Sequence, residues 1–326
     1  MPKLRFLFIL VIFHSLGTTA QKSADYTTYY QRIIQAEVLI TSGKYTEALL
    51  TMDSVFEDYS YVFLRDYKVA AQLALYIGNY QKAFHYITKG IANGWSLKEI
   101  KNNHLLQSLQ HKPGWNMLLK TYDTLRHTYL SKLDHQLKKE VDEMFVRDQK
   151  LAKINLGIND EDAQNKFLIQ KFAPQSERHM HRLLVILNQK GYPGEKLIGN
   201  RLWAWTILSH HNSISAAYNR NDTFYQTLRP LLLTAVQSGE LSPYDFAIIE
   251  EWRISVISEH REKSYGYLDT LTQKDVNRSN QLRRDIGMRS IELTNKLVDI
   301  QEKTGIDFFL EGLMWVKGKI PILSTE

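Results

Sequence analysis

The sequence predicts an all-α protein: a short stack of helical hairpins followed by an irregular helical domain. Three observations carry this. A Gly-x-Tyr-x-x-Ala motif recurs 35 residues apart near the N-terminus, and apolar residues recur at the helical period along most of the chain. No convincing series of alternating apolar and polar residues marks strands, apart from one apolar stretch in the tail.

The chain opens with the pattern of a cleavable secretion signal over residues 1–20. Lys3 and Arg5 give a positive start, residues 6–13 an unbroken apolar run, and Gly17-Thr18-Thr19-Ala20 a small-residue cleavage site. That run spans roughly 12 Å as a helix against about 30 Å of hydrocarbon, too short for a stable anchor. No later segment approaches the ~18 uninterrupted apolar residues of a spanning helix. The mature chain is therefore expected to be exported, either periplasmic, envelope-associated or extracellular. Cysteine is absent, which excludes a disulfide framework, a thiolate metal site and a thiol nucleophile. The formal charge of +6 falls to +4 once Lys3 and Arg5 are removed, and the basic residues are spread along the chain. A nucleic-acid surface would need them clustered, so no such partner is expected.

Residues 21–125 carry the repeat. Gly43-Lys44-Tyr45-Thr46-Glu47-Ala48-Leu49 recurs as Gly78-Asn79-Tyr80-Gln81-Lys82-Ala83-Phe84, and a further step of 35 lands on Pro113, Trp115, Leu118 and Leu119 as a degenerate third copy. Each glycine suits a left-handed cap between two helices, and each small alanine lets the paired helices approach. Ile33, Ile34, Ala36, Leu39 and Ile40 form an apolar stripe before the first turn; Val69, Ala70, Leu73, Ala74 and Ile77 do so before the second. This stretch resembles tetratricopeptide-type hairpin repeats, whose period is about 34 residues. The resemblance implies a concave face for a protein or peptide partner; packing of that face against the rest of the chain is the alternative.

Residues 126–326 read as a second helical domain. A charged helical stretch over 126–153 carries Val141, Met144, Phe145 and Leu151 as its apolar stripe, and Gly157 breaks it before an N-cap at Asp160. Helices follow from near Ser176 to Gly191, from Gly199 to His210, and from an Asp222 cap to Ser238. Ser242-Pro243 opens another, with Ser as N-cap and Pro at the first position. A last long helical region covers 276–303, and the apolar tail 306–323 packs back with a short strand.

An ordered set of residues runs through this domain. It comprises Asp148-Gln149, Gly191-Tyr192-Pro193, Leu197-Ile198-Gly199, Trp205-x-x-x-x-His210, Ala235-x-x-x-Gly239-Glu240-x-Ser242-Pro243, Ala247-x-x-x-Glu251, Tyr265-Gly266 and Asn280-x-x-Arg283-x-x-Ile286-Gly287-Met288. In order and spacing it resembles an uncharacterised bacterial domain-of-unknown-function family, over about residues 140–290. The resemblance implies a map of polar positions and no reaction. The chain departs from the family pattern at Glu251-Trp252, where the family has Asp-Arg, at Tyr267 in place of Thr, and at Ser209 in place of the Gln before the histidine.

Two functions fit these residues. The first is an exported interaction or scaffolding module that uses the repeat. The second is a small-ligand-binding or hydrolase-like domain in which His210 acts as general base, oriented by Glu251 or Asp148, with Arg283 or Tyr265 on a substrate oxygen. Gln149, His211, Asn212 and Asn280 would line that site. A metal is not expected: His179, His181, His210 and His211 supply no i, i+4 pair, and adjacent helical residues diverge by about 100°. No cofactor motif and no Gly-x-Ser-x-Gly elbow is present.

Overall fold

The computed structural model describes residues 25–310 and 318–323; the proposed signal over residues 1–20 lies outside them. The described chain is helical almost throughout, with one parallel pair of two-residue strands. The all-α expectation holds.

Four antiparallel helices build the repeat region: α1 (Tyr26–Thr41), α2 (Tyr45–Asp58), α3 (Leu64–Tyr76) and α4 (Tyr80–Ile91). α1 pairs with α2 and α3 with α4. Gly43 and Gly78 turn each hairpin at φ +73° and +77°, the left-handed region that a Cβ disfavours. Ala48 and Ala83 are buried at the helix contacts, where a larger side chain would hold the helices apart. The third copy is reduced. A short α5 (Leu97–Asn102) and a 3₁₀ turn stand where its first helix should be, and α6 (Pro113–Leu130) supplies the second with Trp115 and Leu118 buried. Leu119 faces solvent.

The charged stretch expected as one helix over 126–153 is instead the end of α6 and most of α7 (His135–Leu156). The break comes at Asp134, whose carboxylate caps α7 through Leu137 N and whose own amide donates to Leu197 O. α8 (Glu161–Phe167) starts at Asp160 as expected, then passes through a π-helical turn at Leu168–Phe172 into α9 (Ala173–Lys190). Pro174 explains the widened turn: it has no N–H to donate and its ring crowds the preceding turn, so the ladder there shifts to an i→i−5 bond from Ala173 N to Leu168 O.

After α10 (Glu195–Ile198), α11 (Leu202–Asn212) begins three residues later than Gly199, because Asn200 Oδ1 accepts from Leu202 N and Trp203 N. α12 (Ala216–Asn221) and α13 (Phe224–Gln237) follow, and Asp222 caps α13 through Phe224 N and Tyr225 N. α14 (Pro243–Ile257) starts at the expected Ser242-Pro243 cap. The region expected as one long helix over 276–303 is two, α15 (Gln273–Asp285) and α16 (Ile291–Thr304). Gly287, at φ +85°, breaks it, and the side chains of Asn280 and Arg283 hold the connection.

One apolar core runs from Tyr26 in α1 to Phe308 beyond α16, so the two regions read from the sequence share their interior. Polar groups join them as well. Tyr30 hydroxyl bonds Val236 O and Leu241 O, and Tyr61 hydroxyl and Leu64 N both donate to Glu195 Oε1. Glu37 of α1 accepts from Arg65 of α3 at 2.6 Å and from Arg289 at 2.7 Å. The segment after α16 crosses α3: the Gln72 carboxamide both donates to Asp307 O and accepts from Asp307 N, and Arg65 Nε donates to Phe308 O.

Gly239 shows how close this contact is. It sits at φ +69°, and a Cβ there would lie 2.3 Å from the Tyr26 ring. Gly239→Ala is expected to destabilise the fold by about 2 kcal/mol or more, from left-handed strain plus overlap with an aromatic ring. Gly43→Ala has the same backbone strain with nothing within 4 Å, so it should cost about 1 kcal/mol. Equal losses in urea titrations of the two variants would refute the steric account.

Candidate functional site

α11 is the central helix of the second region and packs on α7, α9 and α14. Its buried residues are Ala204, Ile207, Leu208, Ser209, His211 and Asn212, and His210 between them is partly exposed at the flank. On α7 the apolar stripe Val141 and Met144 continues to position 148, so Asp148 is carried into the interior on the same face. The two side chains meet: Asp148 Oδ2 lies 2.6 Å from His210 Nδ1. The carboxylate is sealed, with 1% of its side chain exposed, whereas the imidazole is 30% exposed. Gln149 Nε2 donates to the same carboxylate oxygen at 3.3 Å, and Phe172 from the π turn presents itself to the imidazole edge to face.

The Asp148 hydrogen bond fixes the ring chemistry. A carboxylate at Nδ1 holds the proton on that nitrogen and leaves the Nε2 lone pair for another partner. Nε2 has no protein partner among the described residues.

The π turn and α9 supply the third wall through Phe172 and through Gln175, Ser176 and His179, spaced as one helical face. His179 is buried, and this desolvation pushes its pKa down to about 4 although Asp148 pulls the other way. It is therefore a neutral ring at physiological pH, and its Nε2 pairs with Gln175 Nε2 at 2.8 Å. Gln175, Ser176 and Phe172 were not singled out from the sequence. The available signal was polar residues at i, i+1 and i+4 on a helix whose remaining inward positions, Met180, Leu183 and Ile186, are apolar.

His211 belongs to a different network. Its Nδ1 pairs with Ser176 Oγ at 2.8 Å, and its Nε2 lies 3.2 Å from Asp222 Oδ2 without hydrogen-bond alignment. The order Ser–His–Asp suggests a nucleophile, but His211 and the Asp222 side chain are sealed. Asp222 is already spent on capping α13 and on Arg253. Asn212 is equally buried and donates to Ile249 O. Both residues, expected to contact a ligand, hold helices together instead.

Glu251, Tyr265 and Arg283 also converge, though with each other and not with His210. Glu251 accepts from Gly266 N at 3.0 Å and Tyr267 N at 2.9 Å. The buried Arg283 donates to Tyr265 O, Arg289 O and Thr294 Oγ1. Asn280 takes Ile291 N and donates to Glu292. All these bonds organise the loop after α14 and the α15–α16 connection. No hydrogen bond or ion pair links this group to His210 among the described residues, so the expected orientation of His210 by Glu251, with Arg283 or Tyr265 on substrate, gives way to orientation by Asp148 alone. The Gly191-Tyr192-Pro193 turn and the Gly239-Glu240 turn likewise serve each other: Glu240 Oε2 accepts from Tyr192 N at 2.9 Å.

Among the described residues no three His, Asp or Glu side chains are grouped to hold a metal ion, and no helix is long and apolar enough to cross a membrane. No family model, curated protein or solved structure matches the chain.

Proposed function

We propose that the Asp148–His210 pair is a general acid–base site and that the chain is a hydrolase-like enzyme for a small substrate. One observation carries this: a sealed carboxylate bonded to Nδ1 of an imidazole that is one-third exposed and whose Nε2 is unclaimed by protein. In that geometry Nε2 takes a proton from water, the resulting hydroxide attacks an electrophilic carbon, and the imidazolium returns the proton to the leaving group. Asp148 orients the ring and stabilises its cationic form. The neutral His179 and Phe172 keep the surroundings of the pair poorly hydrated, which strengthens the carboxylate–imidazole interaction. Asp148, Gln149 and His210 also belong to the ordered set of polar positions read from the sequence. The leader-like residues 1–20 support export as the setting.

The test needs no known substrate. Diethylpyrocarbonate acylates an unprotonated imidazole nitrogen, and peptide mass spectrometry reads each histidine separately. His210 is expected to react about tenfold faster in the wild type than in Asp148→Asn, which loses the orienting carboxylate charge. Chromogenic esters and anilides then report turnover, which His210→Asn should abolish. A His210 acylation rate unchanged by Asp148→Asn would overturn the proposal.

A second reading, a protein-interaction or scaffolding module with a protein or peptide partner, draws on the hairpins. Their 35-residue period supports a tetratricopeptide-like stack, and Val38, Leu50, Tyr76 and Tyr80 leave large apolar surface exposed on α1, α2, α3 and α4. The inner face of α3 is already crossed by residues 307–308, so a partner would use the outer surface.

A further inference from the structure

A groove of about 490 Å³, open to solvent, lies along the C-terminal half of α14. That is within the usual range for small-molecule sites. Glu250, Arg253, Ile254 and Ile257 recur at the helical period and line it from one face of α14, which Ser258 and Arg261 continue beyond the helix end. Arg229 of α13 and Glu262 complete the lining. Two half-buried isoleucines thus stand beside three guanidiniums.

The carboxylates of the lining are committed. Buried Glu250 accepts from the Tyr225 hydroxyl on Oε1 and from Arg229 Nε on Oε2, and Glu262 pairs with Arg278 at 2.8 Å. Arg253 is turned inward, to Asp222 and Asn219 O, and contributes charge rather than donors. The other two guanidiniums keep donors in hand. Arg229 is held through Nε alone, so its Nη1 and Nη2 have no hydrogen-bond partner among the described residues. Arg261 is anchored by Nε on Ser258 O and leaves Nη1 equally without one. The lining holds three arginines against two carboxylates. Their outer partners, Arg220 and Arg278 against Asp222 and Glu259, balance one another, so these groups carry one positive charge in excess. The carbonyl end of a helix disfavours an anion, but here it is covered: Arg220 Nη2 donates to Ile257 O and Arg261 Nε to Ser258 O, both at 2.9 Å.

We propose that this groove binds a small aliphatic carboxylate, its two oxygens held by the Nη groups of Arg229 and by Arg261 and its hydrocarbon chain against Ile254 and Ile257. The chemistry follows from the lining. A guanidinium fixed through Nε presents its two Nη groups as a planar fork, which matches the two oxygens of a carboxylate. One positive charge in excess suits a monoanion, whereas a phosphate dianion would bring a second negative charge beside Glu250 and Glu262. A cation would meet three guanidiniums, and a neutral chain would gain the isoleucines alone. The groove shares no lining residue with the Asp148–His210 pair, and neither proposal depends on the other.

Calorimetric titration of the full chain with hexanoate, hexanol, hexylammonium and hexyl phosphate tests it. Hexanoate is expected to bind with a Kd of about 1 mM or below, roughly tenfold or more tighter than each of the others. Acetate, which lacks the chain, should bind about fivefold more weakly than hexanoate. Arg229→Lys keeps a charge beside Glu250 but removes the fork, and should weaken hexanoate binding about tenfold. Because Arg229 also holds Glu250, thermal unfolding is measured alongside. Arg261→Gln alters a side chain that is 74% exposed, should leave the melting temperature unchanged, and should weaken hexanoate binding roughly three- to tenfold. No binding of hexanoate at about 10 mM, equal affinity for hexanol, a preference for hexylammonium or hexyl phosphate, or hexanoate binding unaltered by Arg261→Gln would each overturn the proposal.

Discussion

Glu37→Met is expected to destabilise the protein by about 3–5 kcal/mol, the usual consequence of breaking a buried ion pair by removing one of its members. Glu37 is buried in α1, and its Oε1 accepts from both Arg65 and Arg289. Arg289 is itself sealed and stacks over the Tyr244 ring at 4.4 Å, so water does not replace the Glu37 contact it loses. Arg65 is less affected because Asp66 remains 2.9 Å away. The double variant Glu37→Met/Arg289→Met should therefore recover at least half of the loss, since two apolar side chains replace a charge pair. Urea titrations of the four chains give the coupling energy directly. A double variant no more stable than Glu37→Met would show that the loss comes from packing and not from the broken ion pair. The network joins residues 252 apart in sequence, so the wild type should also unfold in one transition by both fluorescence and circular dichroism.

The second large effect is on pH dependence. Burial pushes the Glu251 pKa from 4.5 up to about 7, against the lowering influence of the Tyr267, Leu268 and Gly266 amides and of Arg283. The folded chain therefore holds a proton on Glu251 between these values while the unfolded chain has released it. More protons on the folded state means stability declines as pH rises through this window. No penalty applies below pH 4.5, and the full penalty, on the order of 3 kcal/mol, applies above pH 7. Glu251→Gln cannot ionise. The stability difference between wild type and variant should shift by about that amount in the wild type's disfavour from pH 4.5 to pH 7. Parallel stability curves across the window would refute a buried, proton-binding Glu251.

Local signals were the most legible in the sequence. Gly43 and Gly78 mark hairpin turns because left-handed backbone is nearly a glycine privilege, and Asp160, Asp222 and Ser242 cap helices through their own side chains. The misplaced boundaries all involve distant partners. The helix expected over 126–153 breaks at Asp134, whose amide is bound by Leu197, and the one over 276–303 breaks where Gly287 faces Tyr30 of α1. Neither partner is a neighbour in sequence.

The site was legible in the same measure. His210 stood out as an imidazole at a helix end and Asp148 as a member of the ordered set of polar positions, and they meet. Glu251, Tyr265 and Arg283 stood out equally, yet the same polar types serve a loop as readily as a substrate. Only the three-dimensional pairing separates the two uses. Gln175 and Ser176 were hidden because helical periodicity, by itself, records burial and not what a buried polar group faces.

The Gln72 clamp has a consequence in time. Its carboxamide pairs with the backbone of Asp307, 235 residues later in the chain. At about 5–20 residues per second of synthesis, the hairpins wait roughly 10–50 s for the segment that covers them. Throughout that interval the Gln72 and Arg65 side chains of α3 lack the backbone partners they hold in the finished fold, so the hairpins reach their final polar contacts only after the chain is nearly complete.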